Sequence, residues 1–190
     1  MVATLASALA ARDPLIAAHS ARVAFLAGRI AAWLEWDDAQ LATLRFGAPL
    51  HDIGKVTISK AILRKRGPLE PHEFAEIMTH PAAGVKLIGP IDPVREALPY
   101  VLYHHERWDG GGYPTGRAGE DIPEGARLLS VADAFDAMTS TRPYRSALPT
   151  ARALAEIERC AGTQFDPTLA LAFLDAWHAG ALEHGRAATN

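Results

Sequence analysis

From Pro14 onward, apolar residues return every three or four positions, at Ile16, Val23, Leu26, Ile30 and Trp33, the stripe of a helix buried along one face. Asp13 before Pro14 supplies an N-cap and a first-turn proline, so a helix is predicted to open there. The same pair recurs at Asp92-Pro93 and Asp166-Pro167, each ahead of another apolar-periodic stretch. Asp37 with Gln40 reads as a capping box for a second helix that ends near His51-Asp52. Further helices are predicted from Pro71 to Leu87 with a break near Pro81, from Pro93 to Glu106, from Glu124 to Ser140, from Thr150 to Ala161 and from Pro167 to His178. No convincing strand is present. Two irregular stretches, Gly54 to Leu69 and Trp108 to Pro123, are placed to line a site. The pattern implies an all-α helical bundle with its site in the core. It reads as one domain over residues 1–190, with a leading helix at 2–12, a core at 13–178 and a fraying tail at 181–190.

The chain has 190 residues, 49% hydrophobic and 22% charged, which suits one globular domain with a real core. A net charge of −3 gives no bulk attraction to nucleic acid or to an anionic membrane. An anionic ligand must therefore be held by local charges. No apolar run reaches the roughly 18–20 residues that span a bilayer. The segment Met1–Ala11 lacks the basic start of a signal peptide and is read as a leading helix, so a cytoplasmic location is expected. The single cysteine, Cys160, excludes an internal disulfide and a cysteine-based zinc site, and reads as a small buried hydrophobe. Trp33, Trp36, Trp108 and Trp177 read as core or rim residues, with Trp108 the one placed to stack on a base.

Candidate chemistry lies in the histidines. His19, His51-Asp52, His80 and His104-His105 form four short clusters, and Asp133 follows on a predicted helix. Imidazole and carboxylate are ligands for iron, manganese and zinc. Seven such groups are too many for one tetrahedral ion and suit two ions sharing a carboxylate. One ion can take His51 and Asp52 together, or Asp52 can bridge to a second. His19 and Asp133 can close the first site, and His80, His104 and His105 can supply the second. His72, His178 and His184 are read as ordinary solvated or structural histidines.

His51-Asp52-Ile53-Gly54-Lys55 resembles the HD signature of the HD phosphohydrolases. The run from His104-His105 through Gly110-Gly111-Gly112-Tyr113-Pro114 resembles the second signature of the HD-GYP subgroup. The blocks Val131 to Ser140, Arg142-Pro143-Tyr144-Arg145, and Gly162 to Pro167 are similar to its remaining ones, so the likeness runs from about His19 to Leu174. It implies a metal-dependent phosphodiesterase that hydrolyses cyclic di-GMP to pGpG or GMP. The family's ligands fall on His19, His51, Asp52, His80, His104, His105 and Asp133. Some members hold a third metal with a glutamate one turn before the first histidine. That position is Leu15 here, so two metals are expected. Iron or manganese is implied, and zinc or nickel can load on purification.

In that reading a bridging water, acidified by two metals, attacks phosphorus. The resemblance gives Asp52 and Lys55 catalytic roles, Lys55 reaching a phosphate oxygen. It places Asp136 beside Lys55, where it could orient water or move a proton. Arg142 and Arg145, with Tyr113, are implied substrate contacts, guanidinium forks suiting phosphate and guanine. The Gly-Tyr-Pro loop is also offered as a surface for diguanylate cyclases, and a homodimer is left open. Two alternatives remain: an HD phosphohydrolase of another nucleotide, and a non-catalytic module that binds a cyclic dinucleotide or a cyclase. The metal, the final product, the input signal and a preceding sensory domain are not decided by the sequence.

Overall fold

The structure, a computed structural model, describes residue 11, residues 13–141 and residues 146–182. The leading helix expected at 2–12, the substrate candidates Arg142 and Arg145, and His184 lie outside the described residues. Nine α-helices are described: α1 (Pro14–Trp33), α2 (Asp38–Leu50), α3 (Lys60–Leu63), α4 (Pro71–Ile77), α5 (His80–Ile88), α6 (Leu98–Tyr103), α7 (Glu124–Thr139), α8 (Thr150–Arg159) and α9 (Pro167–His178). Short 3-10 turns occupy Ile53–Thr57, Asp92–Ala97 and Gly119–Asp121. Among the described residues the only β-type pairing is an isolated bridge between Ala161 and Phe165.

The caps follow the sequence closely. Asp13 Oδ1 accepts from the Leu15 N–H at 3.0 Å, Asp37 and Gln40 exchange both bonds of a capping box, and Asp166 accepts from Thr168 and Leu169. Asp92-Pro93 behaves differently and opens a 3-10 turn, with α-helix only from Leu98. The Asp92 carboxylate pairs with Arg95 at 2.8 Å and caps nothing. The segment expected from Pro71 to Leu87 divides after Ile77, and Pro81 enters the first turn of α5, where a missing N–H leaves no bond unmade.

Two apolar clusters build the interior. The larger joins Val23, Ala27 and Ile30 of α1 to Leu128, Leu129 and Phe135 of α7, Ile157 of α8 and Phe173 of α9, and it includes Trp36 and Cys160. The smaller contains Leu50, Ile53, Ile88, Val94 and Val101. His51 and Asp52 lie between Leu50 and Ile53 of the smaller cluster, while His19 and Asp133 stand on the two long helices of the larger one. The candidate ligands therefore meet at the seam between the clusters.

α1 departs from the expectation that no apolar segment is long enough to span a bilayer. α1 is 20 residues long with a hydropathy of 1.3, long and apolar enough by length and composition to cross a membrane. Its alanines carry the average past Arg22 and Arg29. In this fold the helix packs against α2, α7 and α9 and buries His19 and Ser20 as well as its apolar stripe.

Candidate metal centre

The seam gathers its polar groups around one carboxylate. Asp52 is 1% exposed. Its Oδ2 faces His19 Nε2 at 3.7 Å and His51 Nε2 at 3.6 Å, and its Oδ1 faces His80 Nε2 at 3.3 Å and His104 Nε2 at 3.9 Å. Two groups able to hold a cation result, His19–His51–Asp52 and Asp52–His80–His104–His105, with Asp52 common to both. Asp133 Oδ1 stands 2.9 Å from His19 Nε2, on the first group's side. All seven residues singled out as ligands in the sequence are thus brought together.

These side chains do not all project from helices, as the sequence reading held. His51 and His104 are C-cap residues of α2 and α6 and His105 follows in a turn, whereas His80 is the first residue of α5, three residues after the end of α4 at Ile77. Each of the three Nδ1 atoms bonds a carbonyl of the turn behind it: His51 to Ala48 at 2.7 Å, His80 to Ile77 at 2.7 Å and His104 to Val101 at 2.8 Å. The last carbonyls of a helix have no partner of their own, so the imidazole completes the helix end. A carbonyl only accepts, which fixes the proton on Nδ1 and turns the Nε2 lone pair inward. His19 is oriented in the same way, by Asp136 Oδ2 at 2.6 Å from its Nδ1.

Whether the residues fit a metal is tested by the atoms left over. His51 Nε2, His105 Nε2 and Asp52 Oδ1 are buried without a hydrogen-bond partner, and His19 Nε2 has only the Asp133 carboxylate beside it. Uncompensated burial of such groups costs about 1–3 kcal/mol each, which a fold does not sustain three times without return. Electron-pair donors converging from oxygen and nitrogen atoms suit divalent transition ions.

The electrostatics agree. Burial lowers the pKa of His51, and it lowers His104 well below the usual range, helped there by the neighbouring imidazoles. Burial also brings His105 down to about 3. These three rings are neutral, as ligands must be. Burial lowers the His19 pKa too, but the Asp133 and Asp136 carboxylates against it outweigh that effect and raise it to about 9. A proton on His19 therefore competes with a cation for the same carboxylate surroundings. Burial disfavours charge on Asp52, yet the Lys55 ammonium, ahead of His51 and His80, holds its carboxyl well below the usual range.

Lys55 Nζ donates to Asp52 Oδ2 at 2.6 Å. The hydrogen bonds of Asp136 go to partners other than Lys55. Asp136 bonds His19 and receives Arg22 Nε at 2.5 Å and Arg22 NH2 at 3.0 Å, so both its oxygens are engaged. The i, i+3 pairs His19/Arg22 and Asp133/Asp136 face one another across α1 and α7. Asp136 thus acts as an orienting group behind a ligand. Asp136→Ala is expected to weaken metal binding by about 10- to 100-fold without removing a ligand. Competition with a calibrated chelator measures this, and an affinity unchanged from wild type would overturn it.

A cavity of about 970 Å³ opens onto the centre, and Asp13, Leu15, His19, Arg22, Asp52, Lys55, Arg64, His105 and Tyr113 are among its walls. Tyr113 stacks on His105 with ring centroids 4.9 Å apart and an interplanar angle of 30°. Burial, with the Asp52 and Asp133 charges, raises its hydroxyl pKa, so it stays a donor. The loop that carries Tyr113 is pinned by buried Glu106, which accepts from Thr115 N, Thr115 Oγ1 and Gly116 N. Trp108 does not line the cavity and instead meets Arg127, whose guanidinium lies 5.7 Å from its ring. The expectation that it stacks on a base is not supported.

Sequence reading missed Arg22, Glu106 and the Arg64-Lys65-Arg66 run. Glu106 stood inside the second signature block with no role read for it, and Arg22 gave no signal, because their partners come from other elements. The basic run was visible inside the irregular stretch already marked as lining a site.

A family model described as HD domain matches residues 3–169. A cyclic di-GMP phosphodiesterase of Thermotoga maritima is 40% identical over 165 residues, covering 86% of this chain and 45% of that protein. A 3'3'-cGAMP-specific phosphodiesterase 3 of Vibrio cholerae is 40% identical over 157 residues, covering 83% of this chain and 34% of that protein. The chain thus spans less than half the length of these relatives. Among solved structures, Bd1817, an HD-GYP protein of Bdellovibrio bacteriovorus, superposes with a TM-score of 0.71 at 22% identity, over 86% of this chain and 52% of that one. That likeness supports the fold.

Proposed function

The chain belongs to the HD domain family, in its HD-GYP branch, and from that membership we propose that it is a metal-dependent phosphodiesterase acting on cyclic di-GMP. The observation that carries the reading is the placement of Asp52. Its two oxygens face separate imidazole groups at the floor of a cavity of about 970 Å³. His19, His51, Asp52 and Asp133 would hold one divalent ion, and Asp52, His80, His104 and His105 the other. Iron or manganese suits this set of nitrogen and oxygen donors. When bound, the ions supply Lewis acidity, readying a water for attack and neutralising phosphate charge.

The chain's own residues do the rest. Lys55 Nζ lies on the cavity wall and can donate to a non-bridging oxygen of the scissile phosphate while it remains beside Asp52. The Tyr113 hydroxyl, on the same wall, stays protonated and serves as a second donor. Its ring stacks on His105, one of the candidate metal ligands, which supports a place for it beside the substrate. Asp136 and Arg22 hold His19 in register. The substrate's negative charge is met locally, since Arg22, Lys55, Arg64, Lys65 and Arg66 all line the cavity of a chain whose net charge is −3.

The test is a product assay on metal-loaded protein against cyclic di-GMP, 3'3'-cGAMP and linear pGpG. Cyclic di-GMP is expected to be consumed with release of pGpG or GMP. Chelation should reduce turnover to background, and added iron or manganese should restore it. Preference for 3'3'-cGAMP, the substrate named for one of the relatives, would move the substrate within the same chemistry. Cleavage of none of the cyclic dinucleotides at full metal occupancy would overturn the reading.

A further inference from the structure

The cavity extends past the metal ligands, and the part lined by other residues has a composition of its own. Asp13 and Leu15, at the start of α1, share it with Ile62, Arg64, Arg66, Pro68 and Leu69 from the stretch after the HD pair. Asp13 lies six residues before His19, about 9 Å along the helix at 1.5 Å per residue. Asp13 and the Arg64 fork bonded to it are therefore displaced from His19 along α1 by a span that one nucleotide unit covers, with Leu15 lying between them and the metal ligands.

The arginines of this part of the cavity are prepared for an anion. Asp13 is 4% exposed, and both its oxygens are engaged, Oδ1 by the Leu15 N–H and Oδ2 by Arg64 Nε and NH2 at 3.3 and 3.2 Å. A buried carboxylate thus holds one edge of the Arg64 guanidinium while its side chain remains 54% exposed. The remaining N–H groups of that fork have no partner among the described residues. The neighbouring basic groups are already committed, Lys65 to Glu73, Lys55 to Asp52 and Arg22 to Asp136. Arg66 lines the cavity exposed, with no partner among the described residues. Beside these cations Leu15, 63% exposed, offers an apolar face that water gains nothing from covering and that a flat base can cover.

We propose that Arg64 and Arg66, with Leu15, form a second subsite that takes the other half of a dinucleotide, Arg64 and Arg66 binding the phosphate that is not cleaved and Leu15 packing on a base. This rests on the cyclic-dinucleotide reading of the same cavity. Asp13 is a positioning residue that fixes Arg64. The subsite selects doubly anionic dinucleotides over small phosphodiesters, which reach the metals but not these arginines.

The experiment compares cyclic di-GMP with bis(p-nitrophenyl) phosphate, a single small phosphodiester, on metal-loaded wild type and on the double variant Arg64→Ala/Arg66→Ala. The ratio of kcat/KM for the two substrates is expected to fall on the order of tenfold, the worth of one charge-assisted hydrogen bond, carried by KM for the dinucleotide. Asp13→Asn, which keeps the helix cap, is expected to reproduce part of that fall, and Arg64→Lys to restore little of it, because a lysine lacks the fork. An unchanged ratio would overturn the subsite, whether both substrates lose activity together or neither does. Calorimetric binding of cyclic di-GMP to metal-free protein separates the two claims. Wild type that binds through these arginines but cleaves no cyclic dinucleotide sinks the activity and upholds the subsite, whereas wild type that neither binds nor cleaves it overturns both.

Discussion

Asp52→Ala protein is expected to keep its helical circular dichroism and to lose both metals and turnover together. A ligand that belonged to one ion would leave the other in place when removed. Asp52 gives Oδ2 to the His19–His51 side and Oδ1 to the His80–His104 side, so one truncation opens both groups. The metals' contribution to such a reaction amounts to several kcal/mol of transition-state charge stabilisation, so the rate should fall at least about a thousandfold. The fold should survive, because the Asp52 side chain caps no helix and the residue follows the end of α2, so alanine keeps every backbone bond. Its partner Lys55 is 19% exposed and lines the cavity, where water can receive the freed ammonium. Asp52→Asn should behave almost as badly, since the amide supplies neither the charge nor the second donor oxygen. Elemental analysis of anaerobically purified protein, run beside the product assay, checks both halves. Two ions per chain with turnover within tenfold of wild type would show that Asp52 is not the shared ligand.

The sequence was readable where the relevant physics is local. Asp13-Pro14, Asp37 with Gln40, and Asp166-Pro167 cap helices within four residues of themselves, and all three helices begin where expected. The seven ligand candidates were legible as a set, because clustered imidazoles with acidic neighbours have few other uses. Their placement was not. Periodicity suggested histidines projecting from helices, whereas His51 and His104 close helix ends through carbonyls three residues back, and His80 does the same for α4 while opening α5. Where a helix stops depends on that bond, and the hydrophobic pattern does not register it. Asp136 shows a second limit. Spacing correctly put it on the face of Asp133, but its partners His19 and Arg22 lie 117 and 114 residues away in sequence, and only the packing of α1 on α7 decides that it serves His19 and not Lys55. Glu106 fails for the same reason on a shorter scale, because its bonds exist only once the loop to Gly116 has folded back.

Gly54→Ala is expected to be the most damaging single methyl in the chain. Gly54 follows the HD pair by two residues, in the 3-10 turn that lies against α5. A Cβ there would meet the His80 carbonyl oxygen at 1.9 Å, the Gly84 nitrogen at 2.6 Å and the His80 carbonyl carbon at 2.8 Å. All three are backbone atoms, so no side-chain rotation relieves the clash, and the turn must part from α5 by more than an ångström. Ile53, next to it, belongs to the smaller apolar cluster and opposes a slide in the other direction. Overpacking of this kind costs about 3 kcal/mol. For a chain of this size that lowers Tm by roughly 6–12 °C. The same displacement separates His80 from Asp52, now 3.3 Å apart across the second metal group. A misplacement of about 1 Å is enough to cost on the order of a hundredfold in rate, even in protein that remains folded. Gly28→Ala is the control: nothing lies within 4 Å of its Cβ position in α1, and alanine there should be neutral or stabilise by up to about 1 kcal/mol. Thermal unfolding of both variants, with metal content measured on each, separates site-specific crowding from a general intolerance of the glycine change. A Gly54→Ala protein that melts with wild type and retains its second metal would mean that the close approach of the turn to α5 is not what sets the position of His80.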